Sequence, residues 1–253
     1  MNQILISDIV KEYPHMFKVV IYHESYRLSS GSGVTKKQKR EHKAEENIQR
    51  SVRRSRTTIQ DIILCNDFEL WCTFTFDKRK VDRTDISRCR SVMSTWLFNQ
   101  RTHSPNLKYL IVPELHKDGA LHFHALLSNF HGPLKDSKHK TKKGQTIYNA
   151  TGYRSGFTEF IKLDSNKEAI SKYITKQYMT KNMPLFPGKK RFWTSQNLTR
   201  PETFINGLSK FNLKNIVKNQ KPDYINESYE VQYHKKLSTL TSNRQTSLLP
   251  DFF

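Results

Sequence analysis

The apolar positions of the chain fall into three spacings, and each predicts a different kind of element. Residues 18–26 (KVVIYHESY) read as a strand. Between residues 45 and 64 the apolar side chains are Ile48, Val52, Ile59, Ile62 and Ile63, spaced to share one face of a helix. Arg50, Arg53, Arg54 and Arg56 fall largely off that face. FELWCTFTF (68–76) is apolar at nearly every position and rich in aromatic and β-branched residues, which predicts a central strand buried on both faces. Asp85 is placed as an N-cap before a helix with apolar positions Ile86, Cys89, Met93, Trp96 and Leu97. KYLIVPELH (108–116) and ALHFHALLS (120–128) read as two strands of a hairpin around Lys117-Asp118-Gly119. GFTEFIKL (156–163) predicts another strand, and residues 166–182 a helix.

Between these elements the pattern breaks. Residues 28–44 pass from small residues into a run of charge and are expected to form a mobile basic segment. Residues 131–155 are polar and basic and are expected to be an excursion from the sheet. The tight hairpin favours an α+β fold: an antiparallel central sheet of about five strands with flanking helices. Three regions follow: 1–44, a strand and the basic segment; 45–215, the main domain; and 216–253, a polar tail ending in apolar residues.

Charge sharpens the picture. The chain has 253 residues and a formal net charge of +20, from 43 Lys and Arg against 23 Asp and Glu. Such an excess points to a polyanion, most often nucleic acid, or to an anionic membrane surface. The composition is too apolar for a wholly disordered basic protein. No apolar run approaches the ~20 residues of a spanning helix, and the first residues lack the pattern of a signal peptide. Cys65, Cys72 and Cys89 form no C-x-x-C, which excludes a disulfide framework. A cytoplasmic location with reduced thiols is expected.

His122-Phe123-His124 lies within a predicted strand, so both histidines take one face and Phe123 the other. A two-residue hairpin loop would turn Glu114 away from them, whereas a three-residue loop sets Glu114 opposite His122. A glycine in third place, where Gly119 stands, favours the three-residue form. Two imidazoles and a carboxylate with open positions suit Mg²⁺ or Mn²⁺ and a phosphate oxygen. His116 is a substitute ligand or a solvent-facing neighbour.

The predicted helix carries Tyr173-Ile174-Thr175-Lys176. Residues three apart are neighbours on a helix, so Lys176 can lie beside the Tyr173 phenol. A phenol with a pKa of ~10 is a poor nucleophile unless cations lower the cost of phenolate. Tyr178 and Lys181 repeat the spacing, but five residues rotate Tyr178 about 140° from Tyr173.

The order FTF (74–76), Glu114 with His122-x-His124, then Tyr173-x-x-Lys176 resembles the HUH endonucleases, and among them the rolling-circle replication initiators of plasmids and small single-stranded DNA phages. The resemblance extends to the Arg-rich helix running into LCNDFELWCTFTFD, to PELHKDGALHFHALL and to KKRFWTSQNLTRP, and covers residues 45–201. It implies an HUH-like sheet, with Glu114, His122 and His124 as ligands of a divalent cation. It implies Tyr173 as nucleophile, with Lys176 as its helper. The implied activity is nicking and rejoining of single-stranded origin DNA through a 5′-phosphotyrosyl link. Members with paired tyrosines carry them four apart, whereas Ala169 and Gln177 occupy those positions here, which favours single-tyrosine chemistry. A transposase, a relaxase and a non-catalytic nucleic-acid-binding regulator are the alternatives.

Arg50, Arg53 and Arg54 are candidate phosphate contacts. Lys189, Lys190, Arg191 and Trp193 join cations to aromatic residues as single-strand binders do, although Trp193 could equally close the core. No P-loop motif is present, so a host helicase and polymerase are implied partners. Gln245–Phe253 is similar to peptides that bind bacterial sliding clamps; folding back onto the protein is the alternative.

Overall fold

The computed structural model describes residues 5–27, 40–163, 167–177 and 191–236. In chain order the elements begin with β1 (Leu5–Glu12), β2 (Met16–Arg27), α1 (Arg40–Cys65), β3 (Leu70–Phe74) and α2 (Ile86–Gln100). There follow β4 (Lys108–Leu115), β5 (Leu121–Ser128), β6 (Leu134–Lys140), β7 (Thr146–Ala150), β8 (Thr158–Lys162) and α3 (Lys167–Gln177). The chain continues through β9 (Trp193–Thr194), β10 (Glu202–Ile205), α4 (Lys214–Asn219), β11 (Tyr224–Ile225) and β12 (Tyr229–Lys235). They form two compact units, one of Glu41–Thr199 and one of Met1–Arg40 with Arg200–Phe253.

The unit Glu41–Thr199 is built on a seven-stranded sheet ordered β6-β7-β8-β3-β5-β4-β9, antiparallel throughout. Its central strands are apolar on both faces because both faces are covered. On one, Cys72, Phe74, Ile111, Phe123 and Phe160 pack under Ile86, Cys89, Met93 and Trp96 of α2. On the other, Leu110, Val112 and Leu126 pack under Ile59, Ile62 and Ile63 of α1 and Ile174 of α3. Each such isoleucine stabilises the fold by roughly 1.5–3 kcal/mol through burial. Asp85 caps α2 as its position predicted, accepting from the N–H groups of Ser87 (2.7 Å) and Arg88 (3.2 Å).

The α+β class and the antiparallel sheet agree with expectation, but the count of about five strands is corrected to seven in this sheet. Four of the expected strands are in it, residues 18–26 belong to the other sheet, and the additions are β9 and, at 131–155 where an excursion is expected, β6 and β7. Their alternation is masked by charge: Leu134 and Tyr148 pack on the core while Lys135 and Lys140 stay exposed. The helix expected at 45–64 begins at Arg40, and Ile48 on its first turns is exposed rather than packed.

The other unit is a five-stranded antiparallel sheet ordered β10-β1-β2-β12-β11. Val10, Phe17 and Val19 pack on one face against Leu213, the residue before α4, and Val217 of α4. The region expected as a tail from 216 therefore contributes part of α4, with β11 and β12. Residues 28–39 of the basic segment and 237–253, with the proposed clamp peptide, lie outside the described residues. Among the described residues no helix is long and apolar enough to cross a membrane.

Candidate active site

The hairpin β4–β5 sets the register of the polar cluster. Leu115 pairs with Leu121, and the His116 N–H donates to the Ala120 carbonyl at 2.9 Å, which leaves Lys117, Asp118 and Gly119 as a three-residue loop. Gly119 has φ +80°, a conformation that side-chain-bearing residues rarely adopt. Asp118 accepts from the Ala120 N–H at 3.1 Å, which holds its carboxyl below the usual carboxylate range. Arg83 donates to its other oxygen at 3.1 Å.

In this register Glu114 stands directly opposite His122, and His124 follows two residues along the same face. Thr73 of β3 is opposite His124 from the other side. The cluster shares its face with Leu110 and Leu126, at the end where the cover of α1 and α3 gives way to polar side chains.

Nε2 of His124 and Oε2 of Glu114 stand 2.7 Å apart. A carboxylate only accepts, so Nε2 carries the proton and Nδ1 is left facing the Thr73 hydroxyl at 3.4 Å. Both side chains are largely buried, with 9% of the His124 side chain and 13% of the Glu114 side chain exposed. His122 is turned onto His116, their rings stacked with centroids 3.7 Å apart, and His116 Nε2 lies 3.8 Å from Glu114 Oε2. Burial, with the neighbouring His116 and His124, pushes the His122 pKa down to about 4. His122 is therefore neutral at pH 7 and keeps a lone pair to donate. Glu114, His122 and His124 thus share one face, but no three His, Cys, Asp or Glu side chains among the described residues converge to hold a metal ion as they stand.

Helix α3 sits on this face through Ile174, which is buried, and Tyr173 beside it is 51% exposed. The Tyr173 ring meets the Trp71 indole edge-on, with centroids 5.5 Å apart. The same indole lies 5.5 Å from the His124 ring. Lys176 is on α3, and Tyr178 lies outside the described residues. An ion pair of 2.6 Å between Lys167 and Asp67 ties the start of α3 to the segment before β3; Asp67 is exposed, so the pair contributes at most ~1 kcal/mol.

Of the candidate phosphate contacts, Arg50, Arg53 and Arg54 are exposed on α1. Arg191 Nε donates to Ser51 Oγ at 3.0 Å, which joins it to that helix, and partial burial lowers its pKa. Lys189 and Lys190 lie outside the described residues. Trp193 pairs opposite Ile111 and so takes the face away from the histidines, its ring 5.2 Å from Phe123 and 5.2 Å from the Arg90 guanidinium.

Trp71 and Thr73 were missed at the level of sequence. The signal was their parity: two residues apart on a strand, they share a face, and Thr73 is the polar break in an apolar run.

Residues 69–182, under half of the chain, match the family model of Replication-associated protein ORF2. The matched stretch runs from β3 through the hairpin to α3 and supports a replication-initiator-like protein that interacts with DNA. No curated protein and no solved structure matches the chain.

Proposed function

We propose that the unit Glu41–Thr199 is an HUH-type nuclease that nicks and rejoins single-stranded DNA at a replication origin, with Tyr173 as its nucleophile. The phenol gives up its proton as its oxygen attacks the scissile phosphorus, and the bond from phosphorus to O3′ breaks. The departing 3′ oxygen takes a proton to become a free 3′-OH, and the 5′-phosphate stays on Tyr173. Rejoining is the reverse step, so the phosphodiester energy is conserved and no nucleotide is consumed. Strand separation and synthesis then fall to a host helicase and polymerase.

Glu114, His122 and His124 are the side chains that would hold a divalent cation, Mg²⁺ or Mn²⁺. The donor set fits in kind: two imidazoles, one of them neutral at pH 7 by burial, and a carboxylate on the same face. To join, His122 must leave its stack on His116, and Glu114 and His124 must give up their mutual hydrogen bond. A bound cation would neutralise charge on the scissile phosphate. Lys176 follows Tyr173 by three residues, a spacing that lets its ammonium favour the phenolate.

The observation that carries this reading is Trp71, whose ring contacts both His124 of the polar cluster and Tyr173 of α3. Nucleophile and cluster come from separate elements, and the shared contact with Trp71 supports placing them in one reaction centre. The test is incubation with circular single-stranded DNA and Mn²⁺, followed by denaturing electrophoresis. A covalent protein–DNA adduct, lost in Tyr173→Phe while DNA binding persists, supports the proposal. Binding with no adduct in the wild-type protein would make the chain a binding regulator instead.

A further inference from the structure

The unit that joins β1 and β2 to β10, β11 and β12 takes no part in the nuclease reading. Among the described residues, α4 packs on one face of its sheet. Register assigns the other face: Lys11 opposite Lys18, Val20 opposite Val231, Tyr22 opposite Tyr229, and Lys18 opposite Tyr233. Tyr224 joins them from β11, opposite Val231. Within this unit, none of the described residues packed in the core around α4 comes from these positions.

Aromatic rings and cations dominate this face. Tyr22, Tyr229 and Tyr224 follow one another across the strands with ring centroids 6.1 and 5.9 Å apart. The Lys18 ammonium lies 5.5 Å from the Tyr233 ring centre. Tyr224 is 52% exposed, and the other three rings are half-buried. Lysines outnumber acids on it: Lys11, Lys18 and Lys235, the last opposite Met16, against Glu24, two residues past Tyr22 on β2. Lys11 and Lys18 stand directly opposite each other, which sets two cations side by side on adjacent strands. An apolar protein partner would have to desolvate these ammonium groups, and a second copy of the same face would oppose lysine to lysine. A polyanion with stackable rings satisfies both halves of the surface.

We propose that this face is a second nucleic-acid site, a stacking platform for single-stranded DNA in which the tyrosines take bases and Lys11 and Lys18 take phosphates. Aromatic rings on a sheet are sequence-tolerant, because every base has a π-face. A duplex keeps its bases stacked within the helix and would meet only the lysines. Single-stranded DNA rather than RNA is the occupant, because the matched family supports a protein acting on DNA. The site is independent of Tyr173 and does not rest on the nicking reaction.

The full chain is irradiated with an oligonucleotide of 5-iododeoxyuridine and thymidine, and the linked peptides are mapped by mass spectrometry. Adducts on Tyr22, Tyr224, Tyr229 or Tyr233 are expected, competed by unlabelled single strand and not by duplex. Adducts confined to Glu41–Thr199, equal competition by duplex, or stronger linkage of the RNA counterpart would overturn the proposal. Tyr22→Ala with Tyr229→Ala should weaken single-strand binding by roughly tenfold or more, and the Phe versions should retain it. If the Phe and Ala versions bind alike while both melt as the wild type, the rings do not stack on bases and the proposal falls.

Discussion

The indole of Trp71 meets the phenol of Tyr173 edge-on, 5.5 Å between ring centroids, and lies equally far from the ring of His124. Tyr173 is half exposed on a helix anchored mainly by its apolar neighbours, and its contact with Trp71 helps to hold the phenol against the sheet. Trp71→Ala should therefore slow adduct formation by about a hundredfold, the scale expected when a reacting group is displaced by ~1 Å. Single-strand affinity should hardly change. Trp71→Phe keeps an aromatic contact and should recover most of the rate. Single-turnover cleavage beside equilibrium binding separates the two effects; equal losses in both would make Trp71 a DNA contact.

His122→Ala and His124→Ala should each abolish cleavage, and excess chelator should do the same to the wild-type protein. His116→Ala should leave most of the activity, because it removes the stacking partner of His122 and a neighbour of Glu114 but none of the proposed ligands. Cleavage assays across a Mn²⁺ titration check this, and full activity in chelator would remove the cation from the site.

The His122 pKa, pushed from 6.5 to about 4 by burial, also carries a stability signature. The unfolded chain binds a proton at His122 below 6.5, and the folded protein resists it until about 4. Unfolding thus takes up a proton between these values, so this contribution is fully present above pH 6.5 and is lost as pH falls toward 4. Denaturant melts of His122→Asn should show a shallower decline across that window than the wild type.

Gly119→Ala places a side chain at φ +80° in the hairpin loop and should cost about 1 kcal/mol. Gly156→Ala is worse, because a Cβ there meets the Thr75 carbonyl group, a backbone contact that cannot turn aside. Thermal melts should rank Gly156→Ala well below Gly119→Ala; the reverse order would mean that the strand end near Thr75 yields easily.

Much of this was legible because local rules and tertiary demands agreed. Gly119 marked the three-residue loop, and that loop alone fixed which face Glu114 shares with His122. Asp85 marked a helix start because its carboxylate has no better use than two free N–H groups. What stayed hidden needed partners distant in sequence. Lys135 and Lys140 look like loop residues until Leu134 and Tyr148 find a core to pack on. β12 was unreadable as sheet because its partner, β2, lies some two hundred residues earlier. The contact of Glu114 with His124, in place of a converged trio, depends on rotamers that spacing does not encode.

That pairing of Tyr22 with Tyr229 imposes an order on synthesis. When the ribosome has delivered Glu41–Thr199, that unit has every strand of its own sheet, while β2 still has one bare edge and no α4 beneath it. The nascent β1–β2 hairpin must wait, first for β10 beside β1 and then for β12, which emerges after the other strands of the described residues. Premature termination before β12 would thus release a chain whose larger unit has all its strands and whose hairpin is left as a template for intermolecular pairing. Loss of that late strand would show first as aggregation, not as failed catalysis.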